Sequence, residues 1–333
     1  MDDSSYAVHI DAPDISPWRA GNTGVEFVTS LDSARPGPHV LVTAVVHGNE
    51  LCGAIVLDRL LREQIRPLVG RLTLAFMNVA AFSRFDPASP RASRFVDEDF
   101  NRLWAEEVLD GPRDSVELRR ARALRPLVDS ADYLLDIHSM LDDAIPLMMA
   151  GTEAKGRALA QAVGTPEHVV IDAGHAAGRR MRDYRHFSDP SSPRAALLVE
   201  CGQHWTASSV AVAHDVTLRF LAHLGIIDAR WAPHRLRPLP SAQRLIEVTE
   251  AVTIESDDFR FAQSHQGMDV VPHAGTLLGW DGAREIRTPY DDCVLVMPSR
   301  RPRRGESAVR LGRHLEASST IVRDGLPAIG GAR

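Results

Sequence analysis

The run Val40-Leu41-Val42-Thr43-Ala44-Val45-Val46, followed at once by His47-Gly48-Asn49-Glu50, decides how the rest of the chain is read. The first seven residues are apolar or β-branched and predict a buried strand. After the motif, Ile55, Leu57, Leu60, Leu61 and Ile65 recur at helical spacing, which predicts a helix over Gly53–Arg66 ending before Pro67. A strand that passes directly into a helix is the unit of a parallel α/β sheet. At the junction, an imidazole and a carboxylate stand three positions apart, and zinc accepts both ligand types. The pair alone carries little weight, since roughly one His-x-x-Glu is expected by chance in a chain of this length and content.

The same alternation continues to about residue 225. Strands are expected at Val25–Ser30, Arg71–Asn78, Tyr133–His138, Ile145–Ala150, His168–Ile171 and Ala195–Cys201. Helices are expected at Ser115–Asp129, Lys155–Val163 and Ser208–Leu224. Two long polar connections, residues 82–104 and 172–194, interrupt the pattern, and loops of that length in a compact domain are commonly functional. After Pro233 the character changes. Pro238 and Pro240 mark a linker, and Leu245–Ile254, Thr276–Trp280 and Cys293–Met297 read as strands separated by Gly, Pro and Asp-Gly turns. The expected architecture is a mixed, mostly parallel α/β sheet flanked by helices (residues 1–232), then a small all-β domain (241–333).

Bulk composition narrows the function classes. The 333 residues are 44% hydrophobic and 25% charged, as in an ordinary globular protein. The net charge of −6 argues against broad attraction to nucleic acid or anionic membranes. Met1-Asp2-Asp3-Ser4-Ser5 lacks the basic and apolar segments of a secretory signal, and no apolar run reaches the ~18 residues of a membrane span. Cys52, Cys201 and Cys293 are too few for a disulfide framework, so a cytoplasmic protein with reduced thiols is expected. A homo-oligomer stays open. Lys155 is the chain's one lysine among 38 basic side chains. The densest basic run, Arg300-Arg301-Pro302-Arg303-Arg304, reads as a solvated loop.

Three groups of polar residues end apolar strands. His47 and Glu50 follow Val40–Val46, His138 closes Tyr133–Ile137, and Glu200 closes Ala195–Val199. Ligands in open α/β sheets bind at the carboxyl ends of the strands, so these side chains from distant sequence can converge. His138 would supply the third metal ligand that His47 and Glu50 lack, and Asp136 could orient it. Glu200 reads as the general base and acid that takes a proton from metal-activated water and returns it to a leaving amine. A fourth group, Arg94…Asp99-Phe100-Asn101-Arg102, lies in the first long loop. Its guanidinium groups and amide suit carboxylates and oxyanions.

Together, His47-Gly48-Asn49-Glu50, Arg94…Asp99-Phe100-Asn101-Arg102, Asp136-Ile137-His138 and Val199-Glu200-Cys201-Gly202 resemble the succinylglutamate desuccinylase/aspartoacylase family, a branch of the zinc-carboxypeptidase-like hydrolases. The resemblance spans most of the first 225 residues, and the trailing β domain fits its layout. It implies a zinc-dependent amidohydrolase acting on a small N-acyl amino acid, with one Zn2+ held by His47, Glu50 and His138. It further implies that Arg94 stabilises the oxyanion, Glu200 activates water, and Asn101 and Arg102 hold the substrate α-carboxylate. Phe100 stands where better-known members carry Leu. In aspartoacylases a Tyr and an Arg from the region before the Glu200 strand bind the substrate side chain. Arg182, Tyr184 and Arg185 are the candidates here.

Two other readings compete. A metallocarboxypeptidase cutting short peptides would use the same chemistry, and a roofed site would separate the two by excluding long peptides. A lipoyl-like carrier would need a lysine in the C-terminal strands, where none occurs.

Overall fold

Strand β2 (His39–Ala44) is buried along its whole length. Val40, Val42 and Ala44 enter one apolar cluster and Leu41 enters another, the period-two alternation of a strand covered on both faces. The computed structural model describes residues 7–175, 177–228 and 236–315. Met1–Ser5, Pro233 and the expected boundary at residue 232 lie outside the described residues.

Among the described residues, the main sheet around β2 has eleven strands. Their order is β1 (Val28–Asp32), β3 (Arg71–Phe76), β2, β4 (Tyr133–Met140), β7 (Ala195–Gln203), β5 (Leu147–Met149), β6 (His168–Ile171), β8 (Arg244–Thr253), β14 (Ser307–His314), β13 (Cys293–Val296) and β10 (Asp269–Val271). The central strands β3, β2, β4 and β7 are parallel. Strand β1 pairs antiparallel at one edge, and β5 runs antiparallel to β7. A second, antiparallel sheet contains β12 (Arg284–Arg287), β11 (Leu277–Asp281) and β9 (Phe259–Phe261). The sheet does not stop where the α/β pattern ends. Strand β8 pairs in parallel with β6, His168 opposite Arg244, and carries the C-terminal strands onward from there.

Helices α1 (Leu51–Arg62), α5 (Ala154–Val163) and α6 (Ala207–His223) share the larger cluster on one face. Helix α4 (Val116–Ser130) covers the other with Leu118, Ala121, Leu124 and Val128. Two single-turn helices, α2 (Val79–Phe82) and α3 (Glu106–Leu109), interrupt the connections. Helix α1 begins directly after Glu50 and ends earlier than its periodicity suggests, because Gln64 takes a left-handed conformation (φ 54°). It also lies close on the sheet. A Cβ at Gly53 would sit 2.8 Å from Ala44 Cβ and 3.1 Å from Ile137 Cγ2.

The connection before β7 is pinned by Lys155. Its ammonium donates to the carbonyls of His186 (2.7 Å), Asp189 (2.6 Å) and Ser192 (2.9 Å), matching three donors to three acceptors. Among the described residues, no helix is long and apolar enough to cross a membrane.

Candidate active site

Strands β2, β4 and β7 are adjacent and parallel, so their carboxyl ends meet at one rim of the sheet. His138 on β4 lies directly opposite Glu200 on β7. The chain leaves β2 through Val45, a β-branched residue at φ 53°, a strained turn of the kind that gathers at functional sites. That turn presents His47. Gly48 then passes so close to its neighbours that an added Cβ would meet backbone atoms of Ala81, Phe82 and Ser93 at 2.4 Å. Its amide donates to Arg94 O at 3.0 Å, which joins the His47 turn to the Arg94 loop.

The three expected ligands converge. His47 Nδ1 is 2.7 Å from Glu50 Oε1, and His138 Nδ1 is 2.9 Å from Glu50 Oε2. All three residues are buried, and their ligand atoms lie within 4.8 Å of one another. The outer nitrogens are equally well placed. His47 Nε2 is 3.1 Å from Asp99 Oδ1, and His138 Nε2 is 2.9 Å from Asp136 Oδ2. Each imidazole can therefore donate its Nε2 hydrogen to a carboxylate and turn the Nδ1 lone pair inward, the arrangement that orients metal-binding histidines. Thr43 donates to Asp136 Oδ1 at 2.7 Å and fixes that carboxylate in turn.

The charges ask for a cation. Burial raises the Glu50 carboxyl, yet His47 and His138 overcome it and hold the group well below the usual carboxylate range. Burial lowers His138, but Asp136 and Glu50 pull it well above the usual imidazole value. Two buried imidazoles among three carboxylates thus draw positive charge to the spot where Nδ1, Nδ1 and a carboxylate oxygen meet. The donor set and its orienting partners fit a divalent metal.

Glu200 has the opposite electrostatics. Burial pushes its carboxyl up to about 8, with His138 opposing and Glu50 adding to the rise. Its Oε2 is buried without a hydrogen-bond partner. A carboxyl whose proton affinity lies close to neutral pH can both take up and give back a proton, which acid–base catalysis needs.

These groups line a cavity of about 240 Å³ together with Arg94, Asn101 and Arg102. Arg94 Nη2 donates to Asp99 Oδ2 at 3.0 Å, and its Nη1 is 3.9 Å from Glu50 Oε1. Asn101 accepts the Met181 amide at 2.9 Å through Oδ1, with Nδ2 3.4 Å from His138 Nε2. Arg102 donates to Asn101 O at 2.7 Å. Burial lowers Arg102, only partly offset by Asp99. The C-terminal strands reach the same cavity: residues 265–267, residues 297–300 and Arg310 form part of its wall.

The structure places Arg182, Tyr184 and Arg185 away from this cavity. Arg182 is buried against Asp183 and donates to Ala150 O at 2.9 Å. The Tyr184 ring packs edge-on against Trp104, with centroids 5.6 Å apart, and its hydroxyl accepts from Arg125 at 2.8 Å. Arg185 pairs with Glu106 and Asp129, each at 3.1 Å. Two short 3-10 turns, Met181–Asp183 and Arg185–Phe187, meet at Tyr184 and direct all three side chains into these other contacts. From the same connection, Arg180 lines the cavity instead.

Sequence reasoning left Asp99 and Arg310 without a role, and left His204, close after Glu200, open between lining the site and a surface or packing role. Asp99 was visible inside the Arg94–Arg102 motif, but nothing in its spacing marked it as the partner of His47. His204 lines the cavity and is 2.8 Å from Ser139 Oγ, with burial pushing it down to about 3. Arg310 gave no signal at all, because its strand was not anticipated.

Known proteins resemble this chain in sequence and in fold. Residues 36–224, more than half of the chain, match the succinylglutamate desuccinylase/aspartoacylase catalytic domain. Curated relatives include a succinylglutamate desuccinylase from Burkholderia mallei, 24% identical over 300 residues, covering 85% of this chain and 81% of that protein. Another from Pseudoalteromonas atlantica is 23% identical over 297 residues, covering 81% and 79%. A succinylglutamate desuccinylase/aspartoacylase structure from Rhodobacter sphaeroides shares the fold with a TM-score of 0.62 at 19% identity, covering 88% of this chain and 90% of that one. The product-bound ectoine utilization protein EutE (DoeB) from Ruegeria pomeroyi does so with a TM-score of 0.60 at 20% identity, covering 86% and 89%. The chain belongs to the succinylglutamate desuccinylase/aspartoacylase family.

Proposed function

We propose that this chain is a zinc-dependent deacylase that hydrolyses the amide bond of a small N-acyl amino acid in the cytoplasm. The observation that carries the reading is the meeting of His47, Glu50 and His138 beside Glu200, a buried carboxyl with an unpartnered oxygen. His47 and His138 Nδ1 and the Glu50 carboxylate would hold one zinc ion. Zinc in such a donor set acidifies water and polarises a carbonyl.

The remaining work falls to the protein's own groups. Glu200 accepts a proton from the attacking water at Oε2 and returns it to the departing amine nitrogen. Its raised affinity for protons suits both halves of that exchange. Arg94, fixed by Asp99, stabilises negative charge on the scissile carbonyl oxygen. Asn101 and Arg102 hold the α-carboxylate, with the Asn101 amide set in direction by the Met181 N–H. The C-terminal segments in the cavity wall favour a small substrate over a long peptide. The partner is thus a small molecule, with no nucleic acid or membrane involved.

The test is direct. Purified protein should contain about one zinc per chain and release free amine from one or more acyl-amino acids, with Glu200→Ala inactive while zinc is retained. Full activity in that variant would show that another group moves the proton.

A further inference from the structure

The loop that carries Arg94 and Asp99 is held in place by a buried acid outside the active-site cavity. Glu117, in the first turn of α4, has 0% exposure and takes no part in the cavity wall. Its two oxygens accept four hydrogen bonds. Oε1 accepts Val96 N at 2.7 Å and Asn78 Nδ2 at 3.0 Å, and Oε2 accepts Asp97 N at 3.0 Å and Glu98 N at 3.3 Å. The three backbone amides are consecutive. Arg94 lies two residues before this run, and Asp99 follows it directly.

The tie is reciprocal. Asp97 Oδ2 accepts Val116 N at 2.8 Å, so the loop caps the helix that holds it. Asn78 extends the connection to the other side of the site. Its backbone N–H donates at 3.0 Å to the carbonyl of Val45, in the turn that presents His47. One carboxylate thus joins α4, the chain leaving β3 and the loop of Arg94 and Asp99. Hydrogen bonds to a charged acceptor are stronger than neutral ones, and a buried donor left without its acceptor is costly. A loop with three amides fixed in this way has little freedom to shift.

We propose that Glu117 is a positioning residue: by holding the amides of residues 96–98 it sets Arg94 for the oxyanion and Asp99 against His47. The Arg94 half rests on the deacylase reading, whereas the Asp99 half concerns zinc affinity alone.

Glu117→Gln keeps the size of the side chain but replaces one oxygen by an amide nitrogen, which meets two N–H donors instead of accepting from them. With zinc saturating, kcat should fall about 10- to 100-fold, the scale of loss when a catalytic group shifts by about 1 Å. In an Arg94→Ala chain the same change should lower kcat less than about threefold, because the group it positions is gone. Ser115→Ala is the comparison for plain damage to the helix. Its Oγ caps α4 by accepting Leu118 N at 2.9 Å, so the variant should unfold at a lower temperature with kcat unchanged.

A folded Glu117→Gln with unchanged kcat, or an equal fall with and without Arg94, would overturn the proposal. Should Glu117→Gln fail to fold, the same cycle is run on Asp97→Ala, which cuts the reciprocal tie at an exposed residue; losses that add to those of Arg94→Ala overturn it there too. Chelator competition gives a readout apart from hydrolysis. Glu117→Gln should weaken zinc affinity in the otherwise wild-type chain and leave it unchanged in Asp99→Asn, and equal weakening in both counts against the positioning role. If wild-type protein cleaves no acyl-amino acid, the deacylase reading fails and this zinc comparison alone decides what Glu117 does.

Discussion

Asp99 and Asp136 act through the histidines they hold. Neither is among the three metal-facing residues, yet each accepts from the outer nitrogen of one. Asp99→Asn and Asp136→Asn should each weaken zinc affinity by about 10- to 100-fold, the usual cost of losing such a partner. Competition with a chelator measures this without reference to turnover, and unchanged affinity would deny them the orienting role. His39 offers a pH-dependent counterpart far from the chemistry. It is buried, with Nε2 2.8 Å from Thr73 Oγ1 and Nδ1 3.1 Å from Ser130 O. Burial lowers its proton affinity, with the Ser130 contact opposing. Above the ordinary imidazole value both folded and unfolded chains keep it neutral, and its full contribution to stability is present. As pH falls below about 6.5, the unfolded chain binds a proton that the folded one refuses, and stability declines. His39→Gln should narrow the stability difference between pH 7.5 and about 5.5 in urea unfolding. An unaltered difference would mean other histidines carry it. At this scale, residue types at strand ends were legible because strand direction fixes where they emerge. Arg182, Tyr184 and Arg185 were not, because two 3-10 turns set their directions and no periodicity announces such turns.

At the scale of elements, Gly48 matters most. The turn after β2 touches backbone on two sides, so Gly48→Ala cannot be relieved by rotating a side chain. The variant should lose roughly 2–4 kcal/mol of stability through overpacking and most of its zinc, since His47 and Glu50 flank the displaced residue. Thermal unfolding with metal analysis reads both, and a normal metal content would show that the turn accommodates the methyl group. The central strands and the helices α1, α4, α5 and α6 were legible from apolar periodicity, with shifts of a few residues at their ends. Strands β9, β10, β12 and β14 were not. Three are only three or four residues long, and β14 contains Arg310, Arg313 and His314, so composition disguises it. Pairing with β8 and β13 makes it a strand, and such long-range pairing leaves no local trace.

For the whole molecule, the parallel pairing of β6 with β8 makes one continuous sheet of what the sequence divided in two. Arg310 adds an ion pair to Asp172 across the same junction. Unfolding in urea should therefore be a single transition. Amide exchange in β13 and in β4 should lose protection with the same midpoint, whereas an earlier loss in β13 would show that the C-terminal strands open alone. The pinned connection before β7 bears on how the protein can be handled. Its only side-chain amine is already engaged by three carbonyls, so acylating reagents, lysine biotinylation and amine-coupled surfaces find almost no purchase on the folded body. Labelling at Lys155 becomes instead a clock for the opening of residues 186–192, the segment that leads into the strand carrying Glu200.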